Sequence, residues 1–202
     1  TPYSQRLNIF EEIISNKIFP KVIICEKPLS QSSTERQKIK ILCEEHNIKL
    51  LVHYNRRFLE VYKKLKKIIH SSEFGRIFSI TIKTPNRFWS IGSHAVDLIL
   101  FLTDEKPLTY KSLEIPSLRE NGEKALDFLC NFPSGIVGRI ITQGLSNILI
   151  FEVEVVGTKA RAFTKLNGEE LIVEKFITSN QYENYLIPGE IEHQIFLNNS
   201  SF

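Results

Sequence analysis

The sequence predicts an α/β protein in two parts: the second half of a doubly wound parallel sheet, then an α+β domain with a mainly antiparallel open sheet. Three observations carry this expectation. The apolar run Val22-Ile23-Ile24-Cys25 enters the charged pair Glu26-Lys27 and stops at Pro28, the pattern of a strand buried on both faces of a parallel sheet. Strand and helix patterns alternate up to residue 57, and β-α-β order implies parallel pairing. Beyond Gly75-Arg76, short strands separated by turn signals predominate, with one strongly apolar helix among them. The expected domains are residues 1–57 and 58–202.

Taken in order, residues 6–18 repeat apolar positions at Ile9/Phe10, Ile13/Ile14 and Ile18, the spacing of an amphipathic helix. The Val22 strand follows. Ser32-Ser33-Thr34-Glu35 is a capping box opening a helix that turns Ile39, Leu42 and Cys43 inward and stops near Asn47. Residues 49–54 are the next strand. Residues 58–71 form a helix with Val61, Leu65, Ile68 and Ile69 on one face and Lys63, Lys64, Lys66 and Lys67 on the other. No aromatic stacking platform accompanies the lysines, so they read as a solvated face and not as a nucleic-acid surface.

Residues 77–83 then form a strand and residues 90–103 a mostly buried helix. Strands are expected at 109–115, 126–132, 136–142, 148–156, 161–165 and 170–176. Pro133-Ser134-Gly135 and Asn167-Gly168 supply tight turns between them. Residues 190–198 read as a last helix.

Composition is that of a globular protein, 42% apolar and 24% charged with a net charge of +3. No apolar run approaches the ~20 residues that span a bilayer, so no membrane association is expected. Cys25, Cys43 and Cys130 suit neither a disulfide frame nor, with any histidine, a zinc site; no metal is expected.

Cys25-Glu26-Lys27-Pro28 resembles the Glu-Lys-Pro signature of the Gfo/Idh/MocA family, NAD(P)-dependent oxidoreductases of sugars and related polyols. His53-Tyr54-Asn55-Arg56-Arg57-Phe58 is similar to the family's Tyr-Asn-Arg-Arg-Phe segment. Gly92-Ser93-His94-Ala95-Val96-Asp97-Leu98 is similar to its Gly-Ser-His-x-x-Asp-Leu helix. The three stand in the family's order, and the resemblance runs from residue 1 to about 168. It implies a Rossmann-like first domain, NAD or NADP as cofactor, and a sugar, nucleotide sugar or cyclitol as substrate. It also implies a cytoplasmic homo-oligomer associating through the sheet of the second domain.

Residue by residue, the resemblance puts Lys27 between nicotinamide and substrate, where an ammonium can stabilise alkoxide-like charge on the reacting oxygen. It makes His94 the proton carrier, since imidazole titrates near neutral pH. Cofactor contacts fall to Thr1, Pro2, Glu26 and Lys27, and substrate contacts to Asn55, Arg56 and Asp97. Asp97 lies one helical turn beyond His94, where it either orients the ring or caps a neighbouring segment. Arg56 can bind an oxyanion bidentately, and Arg57 is equally suited to a domain-packing ion pair. From the residues alone, Glu26-Lys27 stands either at a ligand crevice beyond the strand's carboxyl end or at an ordinary solvated strand exit.

Two departures from the family pattern stand out. No Gly-x-Gly-x-x-Gly occurs in the 202 residues, and Thr1-Pro2 resembles a turn midway through the family's nucleotide-binding domain. The chain is therefore expected to lack the glycine-rich N-terminal half of that domain. Ser90 also stands where many members carry an aspartate four residues before the histidine, as in a family branch with a short preceding loop. The alternative to an enzyme is a truncated, non-catalytic relative that serves as a folding or dimerisation module.

Overall fold

The computed structural model describes residues 2–85, 88–116, 125–144 and 148–196. They form two compact units, Thr1–Asn55 and Arg56–Phe202.

In the first unit a 3-10 turn, Tyr3–Gln5, leads into α1 (Arg6–Ser15), followed by β1 (Val22–Glu26), α2 (Ser33–Glu45) and β2 (Lys49–His53). β1 and β2 pair in parallel from Val22↔Lys49 to Glu26↔His53. The capping box works with a changed reciprocal arm. Ser32 Oγ accepts the Glu35 N–H at 3.3 Å, but the Glu35 carboxylate accepts from the Ser30 hydroxyl, whose oxygen takes the Ser32 N–H at 3.0 Å. Phe10 of α1, Ile39 and Cys43 of α2, Cys25 of β1 and Ile48 form the core, with Ile23 and Leu50 packed against it.

Burial of β1 on both faces does not hold among the described residues. α1 and α2 contribute to one cluster against Ile23, Cys25 and Leu50, while the alternate residues Val22, Ile24 and Leu51 are exposed, Ile24 to 67%. The apolar run is real, but only its odd positions have a helix to meet.

The second unit opens with the 3-10 turn Asn55–Phe58, shared with the end of the first, and α3 (Glu60–Ile69). β3 (Ile77–Thr84), a π-helical turn (Phe88–Gly92) and α4 (Ser93–Thr103) follow, then β4 (Thr109–Ile115), β5 (Ala125–Asn131), β6 (Val137–Thr142), β7 (Glu152–Gly157), β8 (Ala160–Lys165), β9 (Glu170–Thr178) and β10 (Leu186–Ile195). The strands make one eight-stranded sheet, ordered β10-β9-β8-β7-β3-β6-β5-β4. Every neighbouring pair is antiparallel except β3–β6. This is the fold expected: a parallel α/β piece followed by an α+β unit with a mainly antiparallel sheet.

Alternation within strands builds the core. Ile80 and Ile82 of β3, Val153 and Val155 of β7 and Ala162 of β8 face Val61, Leu65 and Ile69 of α3 and Leu98 and Leu102 of α4 in one buried cluster. The opposite sheet face keeps Phe78, Leu129 and Ile141 exposed. Asn167 and Gly168 adopt left-handed φ of 56° and 100° between β8 and β9, as the turn signal requires.

Three expectations are corrected. The helix expected at residues 190–198, of which 197 and 198 lie outside the described residues, is not found: Leu186–Ile195 is the edge strand β10, paired antiparallel with β9. Pro188-Gly189 falls at its register shift, where an edge strand tolerates a missing donor. The buried helix begins at Ser93 and not at residue 90, because Phe88–Gly92 winds as a π-turn. The α3 lysines are also not one solvated face, since Lys66 lies 4.4 Å from the Phe101 ring centroid and pairs with Asp104. Among the described residues no helix is long and apolar enough to cross a membrane.

Gly157 ends β7 against the buried Phe74, and a Cβ there would meet the Phe74 ring at 2.5 Å. Because Phe74 is a fully packed ring, the overlap has little room to relax. Gly157→Ala is expected to cost about 1–3 kcal/mol of stability, the usual penalty of overpacking, measured by urea denaturation. An unchanged midpoint would show that the Phe74 contact is not tight.

Candidate active site

The carboxyl ends of parallel strands are where α/β sheets place ligands, and here they carry Glu26 at the end of β1, Lys27 directly after it, and Asn55 shortly after β2. The loop leaving β1 is held by its own carbonyls. The buried Arg6 guanidinium of α1 donates from Nη1 to Pro28 O, and Arg36 Nη1 of α2 donates to Ser30 O at 2.9 Å. Ser30 is itself buried and bonded to Glu35. Lys27, half-buried, therefore stands on a backbone fixed from both helices, and the Lys27–Pro28 peptide is cis.

Glu26 is exposed, and its Oε1 lies 3.1 Å from His53 Nδ1 across the parallel pair. The His53 hydrogen bond holds the Glu26 carboxyl below its ordinary 4.5, against the opposing effect of burial. The sequence assigns His53 no role. Its partnership with Glu26 follows only from the register, which sets the last residue of β1 opposite the last of β2. Pro2 is exposed ahead of α1, and Thr1 lies outside the described residues.

In the second unit His94 is the second residue of α4, half-buried and directly after the π-turn. Ser93 Oγ, its neighbour, donates to Ser90 O at 3.3 Å, which ties the π-turn to the helix start. Asp97, one turn along, accepts a bidentate hydrogen bond from Arg57: Nε donates to Oδ2 at 2.9 Å and Nη2 donates to Oδ1. Asp97 thus anchors the Asn55–Phe58 turn to α4, the segment-capping alternative. Burial pushes its carboxyl up, and the Arg57 charge pulls the other way without cancelling it.

Arg56 points inward. It is buried with its guanidinium 3.7 Å from the centroid of the Phe151 ring, beside the buried Tyr62. Desolvation lowers its pKa from the ordinary value, with Tyr62 partly opposing the shift. Of Asn55, Arg56 and Arg57, only Asn55 is exposed. The structure thus sets Glu26, Lys27, His53 and Asn55 at one sheet edge of the first unit, and His94, Asp97 and Arg57 around the start of α4 in the second. Among the described residues no cluster of His, Cys, Asp or Glu could hold a metal ion.

The Glu26–His53 pair makes a measurable claim about acidity. A depressed carboxyl contributes stability that is fully present above its ordinary pKa and fades as pH falls through the depressed value. In a carbon-13 NMR titration Glu26 should titrate below 4.5, and His53→Ala should move it up toward 4.5. An identical Glu26 curve in both proteins would contradict the pairing.

No protein-family model matches the chain. It is similar to an uncharacterized oxidoreductase, YrbE, of Bacillus subtilis, 37% identical over 67 residues that are 32% of this chain and 20% of that protein. It is also similar to glucose-6-phosphate 3-dehydrogenase of Bacillus subtilis, 22% identical over 171 residues, 69% of this chain and 49% of that enzyme. The chain thus spans half or less of the length of these curated relatives. Among solved structures, a dehydrogenase from Chromobacterium violaceum superposes over 100% of this chain and 62% of its own, with a TM-score of 0.78 at 13% identity. An oxidoreductase from Agrobacterium radiobacter, solved with NAD+, L-tartaric acid and magnesium, superposes over 94% of this chain and 58% of its own, with a TM-score of 0.69 at 16% identity. These likenesses establish the fold.

Proposed function

We propose that this chain is the catalytic part of a nicotinamide-dependent oxidoreductase that interconverts a hydroxyl and a ketone on a sugar, nucleotide sugar or cyclitol. The observation that carries the reading is the fixed loop after β1, which presents Lys27 at the carboxyl end of a parallel strand, next to Glu26 and the exposed Asn55. The dehydrogenases that share the fold, and the sugar-phosphate dehydrogenase among the relatives, support it.

The residues present suit the nicotinamide side of such a cofactor. The first unit offers a strand edge with a clamped backbone and a lysine, and no glycine cluster in this sequence offers a pyrophosphate cradle. When bound, NAD or NADP supplies the hydride acceptor. The chain's own groups do the rest. Lys27 donates to the reacting oxygen and stabilises the charge that builds on it. His94 takes the hydroxyl proton in oxidation and returns it in reduction. Asn55 bonds substrate hydroxyls. Asp97, bonded by Arg57, steadies the first turn of α4 and with it the backbone of His94. Cofactor contacts are assigned to Pro2 and Glu26, and to Thr1, which lies outside the described residues. The exposed face of the eight-stranded sheet, with Phe78, Leu129 and Ile141, serves for association between copies.

The test uses the protein carrying this chain, with NADH and NADPH against a panel of sugars, sugar phosphates and cyclitols. Lys27→Ala should lower kcat by about 10²–10³-fold, the usual loss of one transition-state donor, with little change in cofactor affinity. His94→Ala should remove one limb of the pH–rate profile. An unchanged kcat in Lys27→Ala, or an unchanged profile in His94→Ala, would overturn the corresponding role. A second reading, a non-catalytic folding or dimerisation module, is favoured by the uncovered Ile24 and Leu51 of the two-stranded sheet. It predicts no turnover with any member of the panel.

A further inference from the structure

The lysine run of α3 divides into two pairs. Lys63 bonds Glu60 at 2.7 Å, and Lys66 pairs with Asp104 beside Phe101. Lys64 and Lys67 carry no ion pair with a described residue. Three positions apart, they sit side by side on the helix surface, with Ile68 on the same stripe and Ser71 just beyond the helix end. That stripe forms one wall of a cavity of about 230 Å³. Phe74, Ala160 and Val173, all buried members of the core, supply its apolar floor together with Ile68.

Two carboxylates, Glu73 and Glu192, also reach the rim, but both are taken by Lys175, whose Nζ lies 3.5 Å and 3.6 Å from them. The lining therefore holds three lysines against two glutamates, a net charge of +1, and Lys64 and Lys67 are the two cations that stand outside the Lys175 cluster. A cation pair above an apolar floor is complementary to a molecule with an anionic head and a flat hydrocarbon body. The Ser71 hydroxyl beside them is a further donor for an oxyanion. A solvated charge run, by contrast, would not alternate its free members with neutralised ones, nor place both free ones on the mouth of one cavity.

We propose that this cavity of the second unit is a binding site for a small organic anion, its carboxylate or phosphate head on Lys64 and Lys67 and its apolar body on Phe74 and Val173. The site shares no residue with the candidate active site and holds whether or not that reading does. A ligand here bridges α3, β8 and β9, so its occupancy stiffens the layer on which the helix and sheet meet.

Benzoate and phenyl phosphate serve as probes for the two head groups, with benzyl alcohol as the neutral control. They are titrated into the nitrogen-15-labelled 202-residue chain and followed by amide chemical shifts. Either anion is expected to shift the amides of Ser71, Phe74, Ala160 and Val173, and the tighter of the two names the head group. Benzyl alcohol should bind more weakly, and Lys64→Glu/Lys67→Glu should weaken the anions by about tenfold, as two exposed charge contacts allow. Both lysines are exposed, so the double variant keeps its core, and an unchanged thermal midpoint checks this. The proposal is overturned if no probe shifts those amides, if benzyl alcohol binds as tightly as the anions, or if the double variant binds them unchanged.

Discussion

The account rests on how the backbone leaving β1 is held. A strand exit is ordinarily a mobile place, because its carbonyls have left the ladder and its side chains face water. Here the Pro28 carbonyl accepts from Arg6 and the Ser30 carbonyl from Arg36, while Ser30, Ser32 and Glu35 close a hydrogen-bonded ring around the start of α2. Hydrogen bonds from charged donors are about twice as strong as neutral ones. Two of them, from different helices, fix the six-residue loop 27–32 more firmly than its own turn could. A lysine with the role proposed for Lys27, meeting a reacting oxygen in a set geometry, needs such a base.

The second unit applies a comparable device on a larger scale. Its sheet is covered on one face by α3 and α4, and Arg57–Asp97 ties the incoming turn to the first turn of α4. Arg56, the neighbouring residue, is spent inside, its guanidinium over Phe151. A buried guanidinium is costly unless it finds a π-face or an acceptor, so the segment commits both arginines to structure. The proposed chemistry at this end falls to the half-buried His94, the second residue of α4, directly after the π-turn.

Much of this was legible in the sequence wherever local rules dominate. The Ser32 cap, the Asn167-Gly168 turn and the parallel pairing of β1 with β2 follow from side-chain chemistry within a few residues or from element order. The Glu26–His53 pair was hidden because it depends on register, and residues 27 positions apart share no local pattern. Arg6 and Arg36 were hidden because they bind carbonyls, which every residue has. β10 was misread because its apolar positions Ile187, Ile191 and Ile195 recur every four residues, a helical spacing, whereas the free edge of β9 decides the outcome. The burial of β1 was overstated for a related reason: a strand's composition shows what it could bury, and only its neighbours decide what it does.

The most direct test of the central claim is where a nicotinamide dinucleotide touches the labelled 202-residue chain. NADH and NADPH are added at millimolar concentration, so that even weak binding is seen, and amide shifts are mapped. The account predicts shifts gathered at Glu26 and Lys27, and at His53 to Asn55, largely retained in the Lys27→Ala protein. Shifts confined to the sheet of the second unit, or none at all, would contradict it.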